Sequence, residues 1–356
     1  MEQKFMCFVT AVILSLTIFI CFLLCYTPNM HSIAVAIHDS FESYQGRQSV
    51  MDAIMAANTA EDEEAEEEIE DELRGHQIRL QLPKDVTEDD ITIACDAVGH
   101  VNSITVDGIG KDYFNTPPIR CNLDHIVDME YFSNDMVGII DVTTDRVYEM
   151  SVTLQDNYAY FDFVDPHDIY DYVVVVDAGH GGSAPGATKQ GVYEKDIDLD
   201  IVLELKNIFD KSDKNIGVYY TRTTDVNPSF NSRVGLANDS DADLFLSVHN
   251  NSTASGRQSS ISGVEVMYHA ADKTGESKNF ANMCLDNLVE QLDARSRGLV
   301  VGDDIYIIRE SQVPMALVEV GFMTNDDELE KLGERDYQKK AAQALYNSVI
   351  EYLYGE

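Results

Sequence analysis

The chain has 356 residues, room for two ordinary domains with a core each. Sixty-three acidic residues stand against 25 basic ones, a net charge of −38. That balance repels a polyanion, so it weighs against nucleic acid as a partner, and most of the carboxylates read as solvated surface.

Residues 5–26 run FMCFVTAVILSLTIFICFLLCY without a charge. As a helix this run would be about 33 Å long, enough for a bilayer core of about 30 Å. Lys4 precedes it and no Lys or Arg follows until Arg47, which keeps the N-terminus cytoplasmic. The stretch is longer than a signal-peptide core and ends in no small-x-small site. Those features favour an uncleaved transmembrane signal-anchor over 1–30, with a cleaved signal and secretion as the alternative. On either reading the rest of the chain lies outside the cytoplasm. Residues 31–75 read as a stalk that enters the block EDEEAEEEIEDEL at 61–73, where ten of thirteen residues are acidic and repel one another.

The texture then changes to short β-type runs. QIRLQL at 77–82 and ITIAC at 91–95 alternate at period two, and ITV at 104–106, VGIIDV at 137–142 and YAYFDF at 158–163 continue the pattern. Residues 76–168 are expected to form a small all-β domain whose aromatics serve its core rather than a glycan. Cys95 and Cys121 both fall here, and whether they are bridged stays open at this level.

From 171 to 356 strands and helices alternate. YVVVVD at 172–177 is a continuous β-branched run of the kind buried on both faces. A helix follows over 196–210, with Ile197, Val202, Leu205 and Phe209 on its apolar face. VYYT at 218–221, DLFLSV at 243–248, VEVMY at 264–268, IYII at 305–308 and MALVEV at 315–320 read as further strands. The chain closes on a helix in which Tyr337, Ala341, Leu345, Val349 and Leu353 recur every four residues. The expected class is α/β: a mixed, mostly parallel sheet with helices on both faces, preceded by the small all-β domain and the transmembrane helix.

Three of these strands end in residues that suit a metal hydrolase. His180 lies just past VVVVDA in a glycine-rich turn, His249 ends DLFLSVH, and Glu319 sits in MALVEV. In open α/β sheets ligands bind beyond the carboxyl ends of the strands, so these side chains are expected on one rim, joined by Glu194 from the loop before the first helix. Two imidazoles and one carboxylate leave a fourth zinc position open, and a further carboxylate can take a proton from water. Spacing alone leaves the metal site open, because there is no HExxH and no Cys-rich pattern. His38, His76, His125 and His269 have no comparable context.

Seven motifs in sequence carry a resemblance: DAGHGG at 177–182, Glu194-Lys195, TR at 221–222, Arg233, SVHNN at 247–251, GVEV at 263–266 and ALVEVGFMTN at 316–325. Together they resemble the N-acetylmuramoyl-L-alanine amidases, zinc amidases of peptidoglycan, over about residues 171–355. The resemblance implies His180, Glu194 and His249 as ligands of Zn2+, Glu319 as the catalytic glutamate, and Asn251 and Arg222 as substrate contacts. Arg233 also sits at a position that the family keeps; it is expected on a helix, where a salt bridge within the domain outweighs substrate contact. The resemblance also implies a substrate, peptidoglycan, cut between the lactyl group of N-acetylmuramic acid and L-alanine; joined to the N-terminal apolar run, this gives the expectation of a single-pass membrane enzyme whose catalytic domain faces the cell wall. No protein partner is assigned. Some relatives carry a long helix that covers the zinc, whereas NNSTASGRQSSIS at 250–262 is too short for one. An uncovered site is therefore expected. Two other readings remain at this level: a zinc peptidase acting within the stem peptide, and a wall-binding module without activity.

Overall fold

The computed structural model describes residues 48–49, 72–110, 113, 119–134 and 136–355. The apolar run at 5–26 and most of the stalk with its acidic block lie outside the described residues, and so does the expected anchor. Among the described residues no helix is long and apolar enough to cross a membrane.

The first half holds β1 (Gln48–Ser49), β2 (Ile78–Gln81), β3 (Ile91–Asp96), β4 (Val101–Asp107), β5 (Arg120–Cys121), β6 (Ile126–Ser133), β7 (Val137–Thr144), β8 (Glu149–Gln155) and β9 (Tyr158–Val164). They build two antiparallel sheets, ordered β1-β6-β7-β4-β3 and β5-β2-β9-β8. Period-two alternation sends Ile78 and Leu80 of β2, and Ile104 and Val106 of β4, into one core with Ile140 and Phe161. The aromatics Tyr148, Tyr160 and Phe161 are buried, in keeping with a packing role. Cys95 and Cys121 are both free thiols.

After the short helix α1 (Pro166–Ile169) come β10 (Tyr172–Ala178), the hairpin β11 (Thr188–Lys189) and β12 (Val192–Tyr193), α2 (Glu194–Phe209) and β13 (Ile216–Tyr220). The chain continues through α3 (Phe230–Asp239), β14 (Leu244–Asn251), β15 (Val264–Tyr268), α4 (Glu276–Leu292), β16 (Ser296–Val301), α5 (Tyr306–Arg309), β17 (Met315–Phe322), α6 (Asp326–Leu332) and α7 (Arg335–Tyr354). Six strands form a mixed sheet in the order β13-β10-β14-β17-β15-β16. The first four are parallel, whereas β15 runs antiparallel to β17 and parallel to β16. One face (Val174, Val176, Leu246, Val318) packs with Leu205, Phe280 and Leu345 from α2, α4 and α7. The opposite face (Val173, Val175, Phe245, Leu317) packs with Val234 and Ala237 of α3 and Ile307 and Ile308 of α5.

Helices thus lie on both faces, but the second face has another cover that the sequence did not announce. Val147, from the turn before β8, is 1% exposed within the same cluster as Val173, Val175 and Tyr219. Polar ties reinforce the contact: the Val147 N–H donates to the Asp239 carbonyl at 3.2 Å, and the Tyr219 hydroxyl to Glu149 Oε1 at 2.7 Å. The β unit and the α/β unit therefore share a core.

Two expectations need correction. IYII is not a strand: residues Tyr306–Arg309 form a helical turn, and Ile307 and Ile308 both face one side of the sheet, which adjacent strand residues cannot do. Glu194 lies not in a loop but in the first turn of α2, two residues before the predicted start. The shared core yields a test. Val147→Asp places a carboxylate in apolar surroundings at a cost on the order of 3 kcal/mol. Scanning calorimetry should show one transition for the two units in the wild type and a lower one in the variant; an unshifted transition would contradict the shared core.

Candidate metal centre

The site is built on the carboxyl end of β10. Asp177 there is fully buried and accepts hydrogen bonds from the Thr221 hydroxyl (2.6 Å), the Ser247 hydroxyl (2.7 Å) and Arg233 Nη1 (2.6 Å). Burial alone would raise this carboxyl. The Arg233 guanidinium, the neighbouring His249 and the two hydroxyls outweigh it and hold the group below its usual range. Arg233 also donates to the carbonyls of Ala178, His180 and Pro228, so one side chain neutralises the strand end and fastens the turn beyond it. That turn carries His180 in the left-handed region at φ 58°, a conformation that needs such support.

Arg222 completes the fastening, and here the structure departs from the sequence reading. Its guanidinium, 3% exposed, donates to the carbonyls of Ala178 (2.9 Å), Gly179 (2.6 Å), Lys195 (2.8 Å) and Thr224 (3.1 Å). With its nitrogens turned to backbone and closed from solvent, it braces the His180 turn against α2 and is not a substrate contact.

Glu194 opens α2, where a carboxylate is favoured by the helix dipole. Its Oε2 accepts the Ala187 N–H at 2.7 Å and its Oε1 the Asn250 N–H at 3.2 Å. The same Oε1 lies 3.1 Å from His180 Nε2 and 3.1 Å from His249 Nδ1. Burial pushes the Glu194 carboxyl up, but the two imidazoles beside it hold it far below the usual range. Gly186, at φ 67°, passes so close that a Cβ there would meet Glu194 Oε2 at 2.5 Å and His180 Cδ2 at 2.6 Å. His180 and His249 keep 31% and 16% side-chain exposure, so the cluster opens to solvent on the imidazole side. The segment between β14 and β15 contains no helix that would cover it.

Sheet register supplies the rest. His249 on β14 lies opposite Glu319 on β17, and Glu319 lies opposite Glu265 on β15, so the three side chains form one row on a single face. Glu319 Oε2 is buried without a hydrogen-bond partner. Burial, with the charges of Glu194 and Glu265 added, pushes this carboxyl well above its usual range. Asn251, at the end of β14, donates through Nδ2 to Glu265 Oε1 at 3.3 Å.

Asp198 was missed in the sequence although it lies one helical turn after Glu194. It is fully buried, accepts Asn250 Nδ2 at 2.7 Å through Oδ1, and leaves Oδ2 without a partner. His180, Glu194, Asp198 and His249 each offer a ligand atom, all within 4.8 Å of one another. Imidazole nitrogens and carboxylate oxygens at this spacing, beside orphaned carboxylate oxygens, fit a divalent transition ion such as zinc.

Comparison with known proteins identifies the family. The N-acetylmuramoyl-L-alanine amidase family matches residues 174–351, half of the chain. The uncharacterised protein YqiI of Bacillus subtilis (strain 168) is 39% identical over 181 residues, covering 50% of this chain and 84% of that protein. N-acetylmuramoyl-L-alanine amidase LytC of the same organism is 34% identical over 50% of this chain and 35% of its own length. The crystal structure of an N-acetylmuramoyl-L-alanine amidase from Clostridium difficile 630 is 35% identical over 51% of this chain and 96% of that one, with a TM-score of 0.48. The chain belongs to the N-acetylmuramoyl-L-alanine amidase family.

Arg233 gives this centre its sharpest stability test. Arg233→Ala leaves Asp177 buried and unpaired, and should cost about 3–5 kcal/mol in denaturant unfolding. Because the folded-state pKa of Asp177 is depressed, the wild-type contribution is in place above the ordinary carboxylate range and is lost as pH falls through the lowered value. The stability gap between wild type and variant should accordingly narrow in acid, and a gap that stays constant would remove the pair from this role.

Proposed function

We propose that the chain is a zinc-dependent N-acetylmuramoyl-L-alanine amidase that hydrolyses the amide between the lactyl group of N-acetylmuramic acid and L-alanine in peptidoglycan. The observation that carries this reading is Glu319, whose Oε2 is buried without a hydrogen-bond partner in the same sheet row as His249. A carboxylate kept so close to a metal-ligand cluster, at such a desolvation cost, has a chemical use. Family membership supports the choice of bond.

His180, Glu194 and His249 would hold the zinc, with their ring nitrogens and carboxylate oxygen already clustered. When bound, zinc supplies Lewis-acid chemistry: it polarises an amide carbonyl and makes water acidic enough to attack near neutral pH. Glu319, ionised, accepts a proton from the attacking water and returns it to the departing nitrogen of L-alanine as the carbon–nitrogen bond breaks. Its raised pKa suits both halves of that exchange, because a very weak base could not take the proton and a very strong one would not release it. Arg222 and Arg233 keep the His180 turn in place while this happens. Asn251, at the mouth of the row, is assigned to the substrate's polar groups. Residues 5–26 are assigned to the membrane, holding the catalytic half outside the cytoplasm toward the wall.

Purified peptidoglycan digested by the protein should yield new N-terminal L-alanine, and the yield should vanish with a chelator and return with Zn2+. Glu319→Gln should lower the rate about 10²–10⁴-fold while the protein keeps its metal. New termini at other residues would mean a zinc peptidase; no new termini under any condition would leave only wall binding. The pH profile gives a second check. Glu265 is a like charge facing Glu319, so Glu265→Gln should move the acidic limb of kcat/KM to lower pH, and a limb that stays put would remove Glu265 from the electrostatics of the site.

A further inference from the structure

Arg222, Arg233 and Arg297 differ in how their nitrogens are engaged. Arg222 and Arg233 are buried and turned to backbone carbonyls and Asp177. Arg297 is the opposite case. It makes no hydrogen bond to a described residue, and its side chain keeps 29% exposure. Its guanidinium carbon lies 5.0 Å from the centre of the Phe322 ring, and its Nε is 3.5 Å from Glu265 Oε2. Stacking and the Nε contact fix the plane of the group and leave the Nη1/Nη2 edge for another partner.

The backbone explains how an edge-strand residue comes to face the site. Val264 pairs with Ser296 but Glu265 with Gly298, so Arg297 is the extra residue of a β-bulge between β15 and β16. Gly298, at φ 89°, supplies the left-handed conformation the bulge needs. Bulges re-aim side chains, and this one brings Arg297 over Glu265 and Phe322, next to the row of His249, Glu319 and Glu265.

The surroundings select the ligand. Glu265 and Glu319 lie in the sheet row beside Arg297, and a guanidinium there offsets carboxylate charge that would otherwise weaken the hold on an anionic group at this end of the site. Of the carboxylates around Arg297, Glu328 is occupied by the N–H groups of Gly263 (2.8 Å) and Phe322 (2.7 Å), and Glu265 also takes Asn251. Two strand spacings separate β17 from β16, about 10 Å, or a residue or two plus a side chain along an extended peptide.

We propose that Arg297 is a specificity-determining residue that binds a carboxylate on the peptide half of the substrate, within the first two residues after the scissile amide. This rests on the amidase reading. The fork of Nη1 and Nη2 takes the carboxylate in a bidentate contact, and Glu265 holds the guanidinium at the angle required.

Two probes test it: N-acetylmuramoyl-L-alanyl-D-glutamate and its uncharged diamide. The zinc-loaded wild type should cleave the acidic probe with kcat/KM at least tenfold above the diamide. Arg297→Ala should erase that preference through KM while leaving the diamide rate within twofold; Arg297→Lys should restore part of it. Equal rates on both probes in the wild type, or an equal loss on both in Arg297→Ala, would overturn the assignment. Arg297→Gln, with its thermal unfolding compared to wild type, guards against a folding defect. Calorimetric titration with the dipeptide L-alanyl-D-glutamate separates this proposal from the reaction on which it rests. Arg297-dependent binding without cleavage of either probe would sink the amidase reading and keep the carboxylate site; cleavage with binding indifferent to Arg297 would do the reverse.

Discussion

Asp177 ends its strand with no solvent around it, and the guanidinium that neutralises it also holds the carbonyls of Ala178 and His180. A buried carboxylate of this kind is costly unless it is both paired and fully hydrogen-bonded, and Thr221 and Ser247 supply what Arg233 does not. Because these partners come from just past β13, from β14 and from α3, the carboxylate ties three parts of the domain to the turn that carries His180. The strained φ of that histidine is tolerable only because the surroundings over-determine it.

Given that anchorage, sheet topology does most of the remaining placement. Parallel strands β10, β14 and β17 present their carboxyl ends on one rim, and register alone sets His249 beside Glu319. The reversal at β15 brings Glu265 into the same row from the opposite direction. Glu194 reaches the imidazoles from the helix side, so the cluster joins the sheet to α2 much as Arg222 joins the turn to α2.

Much of this was legible in the sequence, and the failures have physical causes. The valine run of β10 reads as a buried parallel strand because nothing in it needs water. IYII reads equally well as strand or helix, and only the sheet face it packs against decides. SRGLVV at β16 escaped notice because its bulge and glycine break the alternation that marks a strand. The start of α2 was misplaced because Tyr193 offers no capping side chain; the Glu194 N–H is instead bound by the Ala187 carbonyl, a tertiary contact. Asp198 was hidden among acids. In EKDIDLD it looks like its solvated neighbours, yet Asp196 and Asp200 are exposed and Asp198 is fully enclosed. Arg222 misled for the converse reason, since a charged residue beside catalytic motifs reads as a substrate contact until its carbonyl partners are known.

The patch shared by Val147, Val173, Val175 and Tyr219 bears on what counts as a self-sufficient piece of this molecule. The amidase family match begins at residue 174, but the apolar strip beside α3 is covered by a segment that precedes it. A polypeptide shortened to the family match would bare that strip to water, inviting self-association through a surface the intact protein never shows. The β unit is thus less a detachable cargo than a cover on the underside of the catalytic half.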